Sequence, residues 1–247
     1  MSEILLRQRL DDLAAQEKTV NLWLRDDDAV EPSNPLETLL ALARRFQIPL
    51  TLAVIPEPTG AALAASLSVE THATIAVHGW NHQSHAGPGE KKQELGGHRP
   101  AAIVLDELRQ GLAKLHGLYG EKLLPMLVPP WNRIDKALLP ALSGLGFTAL
   151  SVFGREKRIN TLTLLNTHVD VMDWHGTRGG RDADILFAEL AGYLAPEAEP
   201  LHAIGILTHH LVHDQAVWDF LTRLFALTAT HPACRWDSAR TLLQRQA

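Results

Sequence analysis

The stretch VNLWLRDDDAVEPSNPLETLLALARRFQIPLTLAVI, residues 20–55, decides the fold class. Val20 to Leu24 is a short apolar run, RDDD follows at Arg25 to Asp28, Pro35 to Phe46 carries a helical pattern, and Leu50 to Ile55 is apolar again. A strand, a helix and a second strand in that order form a unit whose strands lie parallel, joined by a right-handed crossover. The alternation continues. Further strands are expected at Thr74 to Val77, Leu123 to Val128, Phe147 to Val152, Leu162 to Leu165 and Ala203 to Leu207, and helices at Pro100 to Leu118, Ile134 to Leu145, Asp182 to Leu194 and Gln215 to Thr228. The expected architecture is α/β, a single distorted (β/α) barrel of about seven parallel strands. It occupies one domain over residues 1–247, with its motifs in 18–212. Leu6, Leu10 and Leu13 put an amphipathic helix before the first strand. The Gly- and Pro-containing segment Gln83 to Arg99 (83–99) has no period and is read as a lid or rim.

Composition narrows the function. At 247 residues and 46% hydrophobic the chain can bury a large core. A net charge of -5, a pI near 6.2 and no basic run longer than two residues argue against a nucleic-acid partner. One cysteine, Cys234, excludes an internal disulfide and a cysteine-rich zinc motif, so any metal must use His and Asp. Charges at Arg7, Arg9, Asp11 and Asp12 interrupt the first apolar residues, and no segment is apolar enough to span a bilayer. No membrane partner and a cytoplasmic location are the expectation.

Three polar strings end apolar runs: RDDD at 25–28, HGWNH at 78–82 and LTHH at 207–210. In parallel α/β folds the carboxyl ends of the strands gather on one face, so these strings should converge. His78 and His82, four apart around Gly79, can chelate one divalent ion, although that spacing also arises by chance among thirteen histidines. Three successive acids repel one another and resist desolvation, which leaves a helix cap, a solvated turn or a functional site as their reading. His209 and His213 repeat the four-residue spacing, and His213 is read as covering the start of the next helix. One of His209 or His210, at the strand end, is the candidate for chemistry.

The ordered stretches LRDDDAVEPSNP, HGWNH, VPPWNR, DVMDW and GILTHH, spread over residues 24–210, resemble the motifs of the polysaccharide deacetylases, the NodB-homology group or carbohydrate esterase family four. The resemblance implies a metal-dependent N-deacetylase acting on an N-acetylated sugar or saccharide. Taking Pro32 and Pro35 as the prolines that follow the family's acid pair makes that pair Asp27 and Asp28; the other register is Asp26 and Asp27. In the first register Asp27 is the general base, and Asp28 joins His78 and His82 as metal ligand. Zinc is the default ion for such a set, with cobalt, nickel or manganese also fitting. The same analogy gives the backbone N–H of Trp131 to the oxyanion, His209, with His210 beside it, to the acid that protonates the leaving amine, and Asp173 to an arginine that orients the base. Trp131, Trp174 and Arg133 become substrate-binding candidates, the tryptophans because sugars stack on indoles.

One position departs from the family. Val128 stands before Pro129 where the base-orienting arginine is normally found, leaving Arg133 or Arg25 to supply that charge. A second reading, a carbohydrate-binding barrel with weak or no turnover, follows if neither does. A third is hydrolysis of another C–N amide bond. His168 and His175 lie near the same face with surface or supporting roles, and Lys91, Lys92, His98 and Arg99 are read as a solvated loop rather than contacts to an acidic substrate.

Overall fold

The computed structural model describes residues 1–157 and 162–246. Among them nine strands form one sheet: β1 (Val20–Ala29), β2 (Leu50–Val54), β3 (Ala73–His78), β4 (Leu123–Val128), β5 (Ala149–Leu150), β6 (Thr163–Leu164), β7 (Val169–Asp170), β8 (Ile204–Thr208) and β9 (Cys234–Trp236). They run in the order β6-β5-β4-β3-β2-β1-β8-β7 with β9 also beside β1, and every strand pairing is parallel. Strands β6 and β7 are two parts of one stretch. Thr163 and Leu165 donate to the Thr148 and Leu150 carbonyls, whereas His168 and Val171 donate to Gly205 and Leu207, so this stretch links the sheet's two edges and curls it into a distorted barrel. Strands β7 and β9, of two and three residues, were not foreseen.

Strand β1 runs further than its apolar residues suggest. The acids are part of it: Asp26 pairs with Leu52 of β2 and Thr208 of β8, so its backbone is satisfied on both sides. The ladder breaks after Asp26, and Asp28 takes a left-handed φ of 72°. Alternation along β1 sends Leu22 and Leu24 to the helix-covered outside of the sheet and Trp23 to the inside. Trp23 is fully buried among Ala53, Ala76, Ala149 and Ala203, and its indole N–H donates to the Asn166 carbonyl at 3.1 Å. A Cβ on Gly205 would overlap that indole, so the glycine is what admits this plug.

Eight α-helices are described, chiefly α1 (Ser2–Ala15), α2 (Asn34–Phe46), α3 (Ala61–Leu67), α4 (Ala101–Tyr119), α5 (Leu139–Leu142), α6 (Ala183–Tyr193), α7 (Gln215–Thr228) and α8 (Ala239–Gln244). Helix α2 shows how the sequence writes them. Ser33 caps it by accepting from the Leu36 N–H, Pro35 fits the first turn, and Leu36, Leu39, Leu40 and Ala43 pack on the sheet. The helix expected over Ile134 to Leu145 is instead α5 between two short 3-10 turns, Lys136–Leu138 and Ser143–Leu145. Asp135 caps the first turn at the Ala137 N–H, and Pro140 has no N–H with which to continue it. No helix among the described residues is long and apolar enough to cross a membrane.

Candidate metal centre and active site

The carboxyl ends of β1, β3, β4, β7 and β8 bring most of the sequence candidates together. Asp28, His78 and His82 each offer one ligand atom, and the three atoms lie within 4.8 Å of one another. Asp28 Oδ1 is 3.0 Å from His78 Nε2 and 3.3 Å from His82 Nε2. His78 Nδ1–H donates to the Val128 carbonyl at 2.9 Å, which aims Nε2 at Asp28 and the site, where on losing its proton it offers a lone pair to an ion. Two imidazoles and one carboxylate are a donor set suited to a borderline divalent ion, and the oriented Nε2 makes the residues present fit one.

Charge within the triad is balanced by proximity. Burial opposes ionisation of Asp28, but the hydrogen bond from His78 and the neighbouring imidazoles of His78, His209 and His82 outweigh it and hold the carboxyl far below its ordinary range. For His78, burial is overcome by Asp27 and Asp28 and the imidazole is raised. Burial and the adjacent His78 push His82 the other way.

Asp27 faces the inside of the barrel with Arg25, two residues back on the same side of β1. The Arg25 guanidinium, 0% exposed, makes a two-pronged pair with it: Nε to Oδ1 at 2.9 Å and Nη2 to Oδ2 at 3.0 Å. Its remaining donors reach Ser151 Oγ and Asn132 Oδ1, both at 2.7 Å. Of the two cations that could stand in for the arginine absent at Val128, Arg25 is therefore the one beside Asp27. Arg133 turns away and donates to the Lys92 carbonyl at 2.8 Å.

Asp26 points to the opposite side of β1 and takes no part in the triad. Fully buried, it accepts from Thr208 Oγ1 and the His210 N–H, both at 2.8 Å, and lies 2.5 Å from His210 Nδ1. His210 is thereby anchored through Nδ1, and His209 is the imidazole of that loop that helps hold the Asp28 carboxyl down. The His209 ring meets Trp174 edge-on with centroids 4.7 Å apart, and its buried Nδ1 has no hydrogen-bond partner among the described residues. Trp174 is 41% exposed and donates its indole N–H to Asp170 Oδ2 at 2.8 Å. Asp170, rather than Asp173, is the acid next to His209; burial raises its carboxyl and His209 partly offsets the rise. The pairing of Asp173 with an arginine is not formed. Its carboxylate instead caps a surface turn through the N–H groups of Gly176 and Thr177, a turn that places Asp173 beside Trp174 in sequence but not in chemistry.

Trp131 lies against His82 with centroids 4.3 Å apart, and the Lys92 ammonium stands 5.9 Å from its ring. Among the described residues, four of the seven non-glycine positions with positive φ are Asp28, His82, Trp131 and Asn132, so left-handed backbone concentrates at this site. His168 is buried away from it, accepting from the Gly205 N–H, and His175 sits in the exposed turn after Trp174. A separate concavity lined by Leu112, His116, Leu123 and Pro125 lies at the other end of β4. Sequence reasoning missed Glu94, Asn132, Ser151 and Asp170 as parts of the site. Asn132 and Asp170 lie inside quoted motifs; Glu94 and Ser151 carry no local signal.

No family model matches the sequence, and no curated protein sequence matches it. The fold does have close counterparts among solved structures. A Mycobacterium smegmatis protein assigned as a polysaccharide deacetylase superposes with a TM-score of 0.67 at 15% identity, covering 93% of this chain and 90% of that one. A peptidoglycan deacetylase of Bacillus subtilis gives 0.59 at 12% identity, over 93% and 94%. A family 4 acetyl xylan esterase of Clostridium thermocellum, solved with a cobalt ion, gives 0.56 at 14%, over 92% and 91%. The chain has the polysaccharide-deacetylase fold, the distorted barrel of the NodB-like, family 4 carbohydrate esterases.

Proposed function

We propose that this protein is a metal-dependent N-deacetylase that removes acetyl groups from an N-acetylated saccharide. The observation that carries the reading is the convergence of the Asp28, His78, His82 donor set with an Arg25-clamped Asp27 and an unpartnered His209. Its structural neighbours include deacetylases of peptidoglycan and an acetyl esterase of xylan, which favours the same chemistry here.

In this reading His78, His82 and Asp28 hold the ion, zinc by default with cobalt, nickel or manganese also suited to the donors. Bound there, it supplies Lewis acidity, polarising the acetyl carbonyl and lowering the pKa of a water towards ~7. Asp27 takes the proton as water attacks, and the Arg25 fork, holding both oxygens, fixes the orientation of its carboxylate. As the amide carbon becomes tetrahedral, the Trp131 N–H donates to the developing oxyanion. An amine leaves poorly without a proton, and His209 delivers it at the nitrogen. Trp174, braced by Asp170 and set against His209, offers an exposed indole on which a sugar ring can stack. Arg25 fills the role left vacant at Val128, which weighs against a barrel without turnover.

The test is acetate release by purified, zinc-loaded protein from a panel of N-acetylated saccharides. Asp27→Asn should lower the rate by about 10²-fold or more, and equal release by both proteins would remove the assignment. His78→Ala should lower zinc content measured on the same samples.

A further inference from the structure

The loop that carries His82 is fastened by a residue the reaction above does not use. Glu94 comes from the far end of the irregular segment, yet it is 0% exposed. Its Oε1 accepts from the Trp80 and Asn81 N–H groups, both at 2.9 Å, and its Oε2 accepts from the His82 N–H at 3.2 Å. Three consecutive backbone donors turned to one anion form a nest, here filled by the chain's own carboxylate.

We propose that Glu94 is a positioning residue for His82: its carboxylate fixes the turn from Gly79 to His82 that aims the second imidazole at Asp28. The inference rests on the Asp28, His78, His82 reading and adds a residue to it. Two local features require the carboxylate. Gly79 has φ 59°, and a Cβ there would overlap both Glu94 and the Pro130 ring, so the glycine opens the space that the acid fills. His82 itself has φ 57°, a conformation a non-glycine residue adopts only where its surroundings impose it. Glu94 is in turn held from behind. Leu95 bridges to Ile134 and accepts the Asp135 N–H at 2.8 Å, and the His85 N–H donates to the Gln93 carbonyl, so the acid stands on backbone tied to the segment after β4.

Glu94→Gln keeps the volume and one acceptor while removing the charge and the second acceptor. Zinc affinity by chelator competition should fall about 10- to 100-fold, and the visible bands of the cobalt-loaded protein should shift. In the metal-free protein, amide exchange over residues 79–83 should accelerate, with the unfolding temperature reporting that the fold persists. Glu90→Gln is the control, since Glu90 lies in the same segment but contacts Gly87 and His98 instead; it should change none of these readouts. Wild-type zinc affinity in Glu94→Gln, with or without faster exchange, would overturn the positioning role alone. A wild-type protein that takes up no zinc would overturn the metal reading and this inference together.

Discussion

Two loops of this molecule present histidines four residues apart, and they use them in opposite ways. The loop after β3, with His78 and His82, is fastened through its backbone: Glu94 takes three N–H groups, and the ring of His78 gives its Nδ1–H to the Val128 carbonyl while Nε2 meets Asp28. Both Nε2 atoms are left facing Asp28. The loop after β8 is fastened through its rings. His210 is anchored to Asp26 through Nδ1, and His213 Nε2 accepts the His209 N–H at 3.2 Å, so of three imidazoles only His209 has a ring that takes no part in holding the loop. Spacing alone does not make a chelate; what decides is whether backbone or imidazole holds the loop in place.

The largest stability effect that would sharpen this contrast is expected at Asp26. Asp26→Ala strands the His210 ring and N–H without their acceptor in a buried setting, and a urea titration should show a loss of about 3–5 kcal/mol. Zinc affinity should move by no more than about threefold, because Asp26 faces away from the ligands. A large loss of zinc binding would erase the separation of the two loops. The double variant Asp26→Leu/His210→Leu should cost less than the single change, about 1–3 kcal/mol, since one backbone N–H rather than a charged ring then lacks a partner. If the double variant deacetylates at a rate near wild type, His210 is structural; complete loss of turnover in a folded double variant would return His210 to the catalytic set.

How much of this could be read from the sequence follows from where the signal resides. Strand β4 and helix α7 were legible residue for residue, because long apolar runs and a sustained helical period reflect burial on a known face. The two- and three-residue strands β7 and β9 were not, since so short a run has no period. The continuation of β1 through three acids was also hidden: aspartates are poor strand formers, and only the neighbours β2 and β8 make the extended backbone affordable there. The residue types of the site were legible as strings at strand ends. Which partner each acid takes was not. Arg25, beside the acids, and Arg133, four residues after Pro129, were both open from the sequence, and the inward-outward alternation of β1 puts Arg25 on the Asp27 side. The family resemblance points to Asp173, whereas Asp170, at the strand end of the same motif, is the acid that reaches the Trp174 indole. Glu94 stands twelve residues from His82 with no motif around it, so only the closed loop reveals the contact.

The most gradual of the expected effects bears on the ring-held loop and is a matter of pH. Burial pushes His213 down to about 4 from an ordinary 6.5, against the partial opposition of Asp26, so the folded protein keeps this imidazole neutral and able to accept from the His209 N–H. As pH falls below 6.5 the unfolded chain takes up the proton first, which means stability is lost progressively between about pH 6.5 and about pH 4 and no further below that. The slope attributable to this group is at most about 1.4 kcal/mol per pH unit. His213→Gln retains an acceptor for the His209 amide but cannot be charged. Denaturant midpoints measured across this range should therefore converge, with wild type losing more than the variant as acid is added. Parallel curves would mean that His213 is solvated rather than buried against its neighbours, and the β8 loop would then be held by the Asp26–His210 pair alone.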